Sequence, residues 1–342
     1  MILRAEQSRA EQSRAEQSRA EQSRAEQSRA RYLDIAKGIG ISLVVLGHLL
    51  ERTQFLRILI YSFHMPLFFI ISGSLNKKST LSQCFKKGFR KLVIPVYQIL
   101  AFDALLKILK CMVKGDVYPS LTEWINGLLI HGGILWNAPV WFLMTLFMCR
   151  LAICFCDYLN EKITFVFVAG CIFICTFSVN TKFPQWWLTN VIMSFPFFWY
   201  GMRKKPCNIF KNSRKKNILF IILSFMLILV ARWNGYTDIN IQCNGKNYLL
   251  FLFTGIAGTW IVVELSKWIE KLKISNVLEL VGKNSFIILL SHYYICRGII
   301  PEGIKYLKIS SNYVLQIFLA IIIMGTYYCI FKIKQREKEI GY

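Results

Sequence analysis

Acidic residues are scarce in this sequence: it has 19 aspartates and glutamates against 42 lysines and arginines, and a formal net charge of +23. A soluble protein with this charge would be expected to bind nucleic acid. Here the basic residues instead form short clusters between long apolar runs, as they do in the loops of membrane proteins. We therefore expect no nucleic-acid partner, and membrane lipid as the surroundings of the chain.

Signatures of a metal site or a disulfide framework are also missing. The 11 cysteines include no Cys-x-x-Cys pair, and no histidine lies at ligand spacing from them. Most of these cysteines lie inside apolar runs, where a free cysteine packs as a small hydrophobic residue. We therefore expect no bound metal. A secretory signal with a cleavage site is likewise absent ahead of the first apolar run.

Apolar runs of membrane length recur along the chain, which is 55% hydrophobic and 15% aromatic. A bilayer core about 30 Å thick is crossed by roughly 20 helical residues. The runs therefore predict an all-α integral membrane protein with about ten transmembrane helices. The predicted spans are 34–51, 57–75, 91–112, 139–157, 163–179, 186–202, 217–231, 247–265, 282–300 and 312–332.

The distribution of lysine and arginine predicts the orientation of these helices, because cytoplasmic loops carry more of both residues. The second, sixth and eighth loops and the C-terminal tail are rich in them, whereas the odd-numbered loops hold fewer. We therefore expect the even-numbered loops and both termini in the cytoplasm, as an even number of spans requires. This topology predicts a multi-pass protein of the bacterial inner membrane.

Residues 5–29 are five perfect copies of Ala-Glu-Gln-Ser-Arg. A five-residue period makes no continuous apolar face on a helix or a strand, so residues 1–31 are predicted to form a disordered or transiently helical tail. The perfection of the copies points to the coding DNA instead. A tandem pentanucleotide returns to its reading frame every five codons, and the unit GCAGA translates as this pentapeptide. We hypothesise a slippage-prone tract that switches the gene on and off, which is phase variation.

Three of the four histidines fall inside predicted spans and at similar depths. His48 lies eleven residues after Lys37, roughly 16 Å from the cytoplasmic end of the first span, and His292 lies roughly 15 Å from the inner end of the ninth. His64 lies roughly 10 Å below the outer end of the second span. One buried histidine is usually just a hydrogen-bonded polar group, but three at one depth favour acid–base chemistry. His131, in an outer loop, is expected to be a surface residue.

Charged residues mark the inner ends of two spans. Asp34 and Lys37 lie three residues apart on one face of the first helix. They form either an interfacial ion pair or the entrance of a polar passage. Arg90 and Lys91 open the third span, either as ordinary cytoplasmic anchors or as ligands for the phosphates of a nucleotide-like donor.

Five short motifs resemble those of acyltransferase family 3, a family of membrane O-acyltransferases. The first combines a basic residue, ten others and a histidine, here Lys37 and His48. The second resembles that of the fucose 4-O-acetylase-like branch of the family. In chain order, the motifs are Tyr32–Gly38 with Val44–His48, Ser62–Gly73, Arg90–Pro95, Val140–Leu143, and Val281–Ser285 with His292.

The resemblance implies acetyl-CoA as the acyl donor, held on the cytoplasmic side, and a sugar or lipid-linked glycan as the acceptor on the outer side. It nominates His48 as the essential residue. It divides the chain into the tail 1–31, an acyltransferase membrane domain at 32–332 and a basic cytoplasmic tail at 333–342. The chain departs from the family at Lys37, where arginine is frequent, and lysine lacks the planar fork for bidentate contacts.

The predicted reaction transfers an acetyl group to a sugar hydroxyl of a capsule or of lipopolysaccharide or lipooligosaccharide. His48 acts as general base, and His64 or His292 orients it or stabilises the oxyanion. A relay through an acyl-histidine stays open. The residues assigned to the donor phosphates are Lys37, Arg90 and Lys91. The residues assigned to other substrate contacts are Asp34, Ser72, Ser285 and Trp141.

A rival hypothesis is a transporter or flippase for a glycan or its lipid-linked precursor, since intramembrane histidines also suit a proton-coupled carrier. The predicted spans show no convincing internal repeat and contain few carboxylates, which favours the enzyme. Analysis of O-acetyl groups on the purified surface glycan, with and without the gene, distinguishes the two, because a carrier would change the amount of glycan instead.

Overall fold

The computed structural model is helical throughout the part of the chain that it describes, apart from turns and one isolated bridge between Asp238 and Cys243. The predicted all-α class is therefore confirmed for these residues. The repetitive tail and His131 lie outside them. The described residues are 31–115, 120, 122–123, 138–177, 187–204, 213–308, 310 and 312–340.

Fourteen helices are numbered here in chain order within the described residues. A π-helical turn at Phe89–Val93 joins α4 to α5, and a second one at Tyr294–Ile299 joins α12 to α13. The helices are α1 Arg31–Leu49, α2 Phe55–Tyr61, α3 His64–Ser74, α4 Leu81–Gly88, α5 Ile94–Lys114, α6 Trp141–Leu159, α7 Glu161–Phe177, α8 Trp187–Arg203, α9 Ser213–Asn234, α10 Tyr248–Ile269, α11 Ser275–Lys283, α12 Ser285–Tyr293, α13 Ile300–Tyr306 and α14 Tyr313–Ile340.

Local sequence signals account for several helix ends. The Thr80 side chain accepts a hydrogen bond from the backbone of Gln83 and so caps the start of α4. Asn247 caps α10 in the same way, with its side chain 2.7 Å from the backbone nitrogen of Leu249. Gly115 ends α5 in the left-handed conformation, at a φ of 68°, which costs glycine little.

Six helical segments are long and apolar enough to cross a membrane, so the chain is a multi-pass membrane protein. Helices also occupy the other four predicted spans, at α6, α7, α8 and α12–α13. Two of these, α7 and α8, have 17 residues each, or roughly 26 Å, slightly less than a bilayer core of about 30 Å. The count of ten spans and the cytoplasmic termini stay predictions. The six segments are Arg31–Leu49, Phe55–Ser74, Leu81–Val113, Arg214–Asn234, Tyr248–Ile269 and Tyr313–Ile340.

Glycines let α3 and α8 pack backbone against backbone. A Cβ atom added to Gly73 would lie 2.9 Å from the carbonyl carbon of Phe198, and one added to Gly201 would lie 2.7 Å from that of Ile70. Small residues at such contacts are how membrane helices approach closely. This contact fixes the helix that begins at His64.

A second glycine contact joins α1 to α11. A Cβ atom added to Gly282 would lie 2.8 Å from the backbone nitrogen of Gly38, so the two glycines face each other. Arg31 strengthens the contact, because its Nε donates to Glu279 at 2.9 Å and a terminal nitrogen donates to Ser275 at 2.9 Å. The Gly38–Gly282 contact therefore sets the position of α1 relative to α11 and to α12, which follows it.

Candidate active site

His48 and His292 meet in the interior of the protein. His48 lies ten residues beyond Gly38, or about 15 Å along α1, and His292 on α12 lies ten residues beyond Gly282 on α11. Their ring centroids are 5.1 Å apart, and the His292 ring is fully buried. The ring of Tyr293, the next residue on α12, lies 5.6 Å from the His48 ring and perpendicular to it. Two helices distant in sequence thus form one imidazole pair.

His64 joins this pair through a tyrosine that the sequence reasoning missed. The Tyr61 ring centroid lies 4.6 Å from that of His64 and 6.4 Å from that of His48. Gly47 makes room for it, because a Cβ atom there would lie 2.9 Å from the Tyr61 ring. Tyr61 therefore lies between His64 and His48 and links His64 to the His48–His292 pair.

The hydrogen bonds of two histidines define which ring nitrogen is available. His292 Nδ1 lies 2.8 Å from the carbonyl oxygen of Ile288, and His64 Nδ1 lies 3.0 Å from that of Ile60. A carbonyl oxygen only accepts, so Nδ1 carries the proton and Nε2 of the neutral ring keeps its lone pair. Within the described residues, His292 Nε2 has no hydrogen-bond partner. A buried nitrogen left in this state is a ready acceptor for a substrate hydroxyl.

A buried arginine lies on the far side of Tyr61. Arg57 of α2 is only 4% exposed. It donates to the carbonyl oxygen of Leu50 at 2.6 Å and to the Tyr61 hydroxyl at 3.2 Å, and its guanidinium lies 4.7 Å from the Tyr61 ring centroid. Arg57 is the first residue of the predicted span 57–75. One hydrogen bond and one cation–π contact from Arg57 therefore hold Tyr61 in place, while the bond to Leu50 fixes the guanidinium.

The loop after α9 completes the cluster around Arg57. Tyr236 accepts a hydrogen bond from Arg57 at 3.4 Å and donates one to Asp238 at 2.9 Å. Asp238 also accepts from the backbone nitrogen of Asn240 at 3.0 Å. Burial raises the pKa of the Asp238 carboxyl, against the opposing effect of these hydrogen bonds. The loop is thus tied to the imidazole pair through Tyr236, Arg57 and Tyr61.

A cavity of about 320 Å³ reaches His48 from the π-helical turn after α12. Arg297 in this turn and Lys305 and Lys308 farther along the chain line the cavity together with His48. The turn itself is held by a buried carboxylate, because the Tyr294 hydroxyl donates to Asp103 of α5. The sequence reasoning missed Arg297 and Asp103, although an ionisable residue inside a predicted span is itself a signal of function.

The residues predicted at the inner end of the site lie on two separate elements. Asp34 and Lys37 form an ion pair at 2.6 Å near the start of α1, and both are half-buried. Arg90 and Lys91 lie in the π-helical turn after α4 and are exposed. The cations of this second pair are therefore accessible, whereas Lys37 already has a carboxylate partner.

The other predicted substrate contacts have ordinary surroundings. Ser72 on α3 and Ser285 at the start of α12 are half-buried. Trp141 is 5% exposed and packs among aromatic rings, 6.2 Å from the Phe142 centroid and 6.4 Å from the Phe69 centroid. These contacts give Trp141 a role in the core, and its contact with a substrate stays a prediction.

Three histidines from separate apolar helices thus lie close together in a multi-pass membrane protein, and one of them, His48, lines a cavity together with three cationic side chains. The family model described as an acyltransferase domain, that of acyltransferase family 3, matches residues 30–331. The chain therefore belongs to acyltransferase family 3. No curated protein and no solved structure matches it. Membership of the family supports membrane acyltransferase activity.

Proposed function

We propose that this protein is an O-acetyltransferase of the bacterial inner membrane that transfers an acetyl group from acetyl-CoA to a sugar hydroxyl of a cell-surface polysaccharide. The acceptor is a capsule, a lipopolysaccharide or a lipooligosaccharide. The observation that carries the proposal is the contact of His48 with His292, at 5.1 Å between ring centroids, in a chain of this family. The likeness of Ser62–Gly73 to the fucose 4-O-acetylase-like motif supports a sugar as the acceptor.

In the proposed reaction, His48 acts as general base. It removes the proton of the acceptor hydroxyl while the hydroxyl oxygen attacks the carbonyl carbon of the thioester. The tetrahedral intermediate then collapses, the carbon–sulfur bond breaks, and the protonated His48 returns its proton to the leaving thiolate. The acetyl group ends as an ester on the sugar, and free CoA leaves.

The neighbouring histidines support His48 in different ways. Because His292 donates its Nδ1 proton to Ile288, its Nε2 is available to accept a hydrogen bond from His48 or from the acceptor hydroxyl. His64 is farther away and acts through Tyr61, as a positioning residue. His292 is therefore better suited to orient His48 or the acceptor hydroxyl than to donate a hydrogen bond to the oxyanion. Such a donation would need a proton on His292 Nε2.

The donor approaches from the inner end of α1 and α5 in this proposal. Arg90 and Lys91 are exposed cations at the start of the third predicted span, so they are suited to the phosphates of acetyl-CoA. Lys37 shares one of its three donors with Asp34 and keeps two for a phosphate. From Lys37 to His48 the path measures about 16 Å along the helix, which the pantetheine arm has to cover.

The test removes the imidazole of His48. His48→Ala should abolish O-acetylation of the purified surface glycan, measured by mass spectrometry, while the protein is inserted in the membrane at the normal level. The matched control is His131→Ala, the histidine outside the predicted spans, which should acetylate normally. Near-normal O-acetylation by His48→Ala would end the proposal, and a change in the amount of glycan without a change in acetylation would favour the transporter.

A further inference from the structure

The cavity beside His48 has cationic walls and lacks a carboxylate of its own. Arg297, Lys305 and Lys308 all line it. None of the ion pairs formed by the described residues involves these three cations. The remaining lining residues are apolar or neutral: Leu49, Cys296, Ile300, Pro301, Ile304, Gln316 and Leu319. All three side chains are exposed, so they are accessible to an anion from outside the protein.

Arg297 is the most informative of the three cations because of its place in the chain. It is exposed and lies five residues after His292, three residues before the outer end of the predicted span 282–300. An arginine within a predicted span is rare and is a candidate for a substrate contact by default. Its planar guanidinium matches a carboxylate or a phosphate in a bidentate way. The position next to His48 places such an anion close to the base.

We propose that this cavity binds an anionic group of the acceptor, either the carboxylate of an acidic sugar or the diphosphate of a lipid-linked saccharide. The inference rests on the proposed acetyl transfer and names the class of acceptor for the same site. With about 320 Å³, the cavity can enclose the anionic group and the hydroxyl-bearing part beside it, since small-molecule pockets start at about 300 Å³. Binding of the anion there orients a neighbouring hydroxyl toward His48.

The cavity is distinct from the proposed donor site. Lys305 lies in the last turn of α13 and Lys308 follows that helix, both between the predicted spans 282–300 and 312–332, in a loop predicted to be extracytoplasmic. Arg90 and Lys91, proposed for the donor phosphates, start the third span at the opposite face. The chain thus has one cationic site at each end of the path through His48, which suits an anionic donor and an anionic acceptor that enter from different sides.

The experiment measures anion binding directly, by titration calorimetry of the full chain in lipid nanodiscs at low salt. The probes are methyl glucuronoside, the matched neutral methyl glucoside, and inorganic pyrophosphate, each titrated with and without saturating CoA.

We expect an anionic probe to bind in the presence of CoA. Arg297→Gln should weaken this binding about 10- to 100-fold, as is usual for a charged hydrogen bond. Arg297→Lys should weaken it less. Arg232→Gln, an exposed arginine at the outer end of α9, is the control and should bind as the wild type does.

Each outcome decides between the alternatives. Tighter binding of the glucuronoside than of pyrophosphate supports an acidic sugar, and the reverse order supports a lipid-linked diphosphate. Four results would overturn the inference. They are equal binding of glucoside and glucuronoside without binding of pyrophosphate, no binding of any probe, loss of probe binding when CoA is present, and normal binding of the anionic probe by Arg297→Gln. The binding assay needs no acetyl transfer, so a negative binding result leaves the proposed function standing. Conversely, normal acetylation by His48→Ala would leave the binding result intact.

Discussion

The contact between two glycines gives a direct way to perturb the active site from a distance. A Cβ atom on Gly282 would lie 2.7 Å from the carbonyl carbon of Asp34 and closer still to its oxygen, whereas ordinary contact starts at 3.4 Å. Because the Asp34 oxygen is the nearest atom, Gly282→Ala has to move α11 away from α1 by at least about 1 Å. His48 lies on α1, ten residues beyond Gly38, and His292 lies on α12, ten residues beyond Gly282. We therefore expect the distance between the two histidine rings to change as well.

The size of the effect follows from this displacement. Overpacking of this kind costs about 1–3 kcal/mol, which a protein of this size tolerates. A misplacement of about 1 Å in a catalytic pair can cost about 100-fold in rate. We therefore expect Gly282→Ala to insert in the membrane and to purify as a folded protein, with acetylation of the surface glycan reduced roughly 10- to 100-fold.

The assay compares the initial rate of thiol release from acetyl-CoA, in membranes that contain the glycan acceptor, for Gly282→Ala and two controls. Gly170 on α7 and Gly325 on α14 have no atom within 4 Å of an added Cβ, so their alanine variants should be as active as the wild type. Helical alanine should even stabilise them by about 0.5–1 kcal/mol. Wild-type activity of Gly282→Ala, or an equal loss in Gly325→Ala, would refute the reasoning.

Two further predictions concern the cluster around Arg57. Arg57→Leu leaves the Leu50 carbonyl and the Tyr61 and Tyr236 hydroxyls without their donor. Each buried acceptor left without a donor lowers the free energy of unfolding by about 1–3 kcal/mol. The melting temperature in detergent and the acetylation rate should therefore both fall. The exposed Arg232→Leu should change neither, and a normal melt of Arg57→Leu would contradict the assignment. Because burial raises the pKa of Asp238, its contribution to stability is complete below its ordinary pKa of about 4 and is lost as pH rises through the raised value. Asp238→Asn should remove this dependence, and superimposable melting profiles of the two proteins from about pH 4 to pH 7 would be evidence against it.

Several features could be predicted from the sequence because they depend only on the geometry of a single helix. The rise of about 1.5 Å per residue placed His48 and His292 at comparable depths, and the structure has their rings in contact. The spacing of Asp34 and Lys37 put them on one helical face, where they form an ion pair. In these cases the local period of the helix already determines which side chains are neighbours.

Other features depend on contacts between helices, which no local period reveals. Arg57 is the first residue of the predicted span 57–75, but its burial depends on Tyr61 and on Tyr236, which lies 179 residues away in a loop. Trp141 belongs to a family-like motif, yet it packs against Phe69 of another helix. The π-helical turns also escaped prediction, because they arise where the tertiary structure accommodates one extra residue in a turn.

The π-helical turn at Tyr294–Ile299 explains how one helix serves both the chemistry and the proposed acceptor cavity. Five residues of an α-helix turn through about 500°, so His292 and Arg297 would point roughly 140° apart on a regular helix. A π-helical turn bonds each residue to the fifth one along and therefore brings positions five apart toward the same side. His48 contacts the His292 ring and lines the same cavity as Arg297, as expected if the turn brings these two positions toward one side. The hydrogen bond from Tyr294 to Asp103 stabilises the turn from the side of α5. The π-helical turn is thus the element that would keep the proposed base, His48, and the proposed anion site within reach of one acceptor.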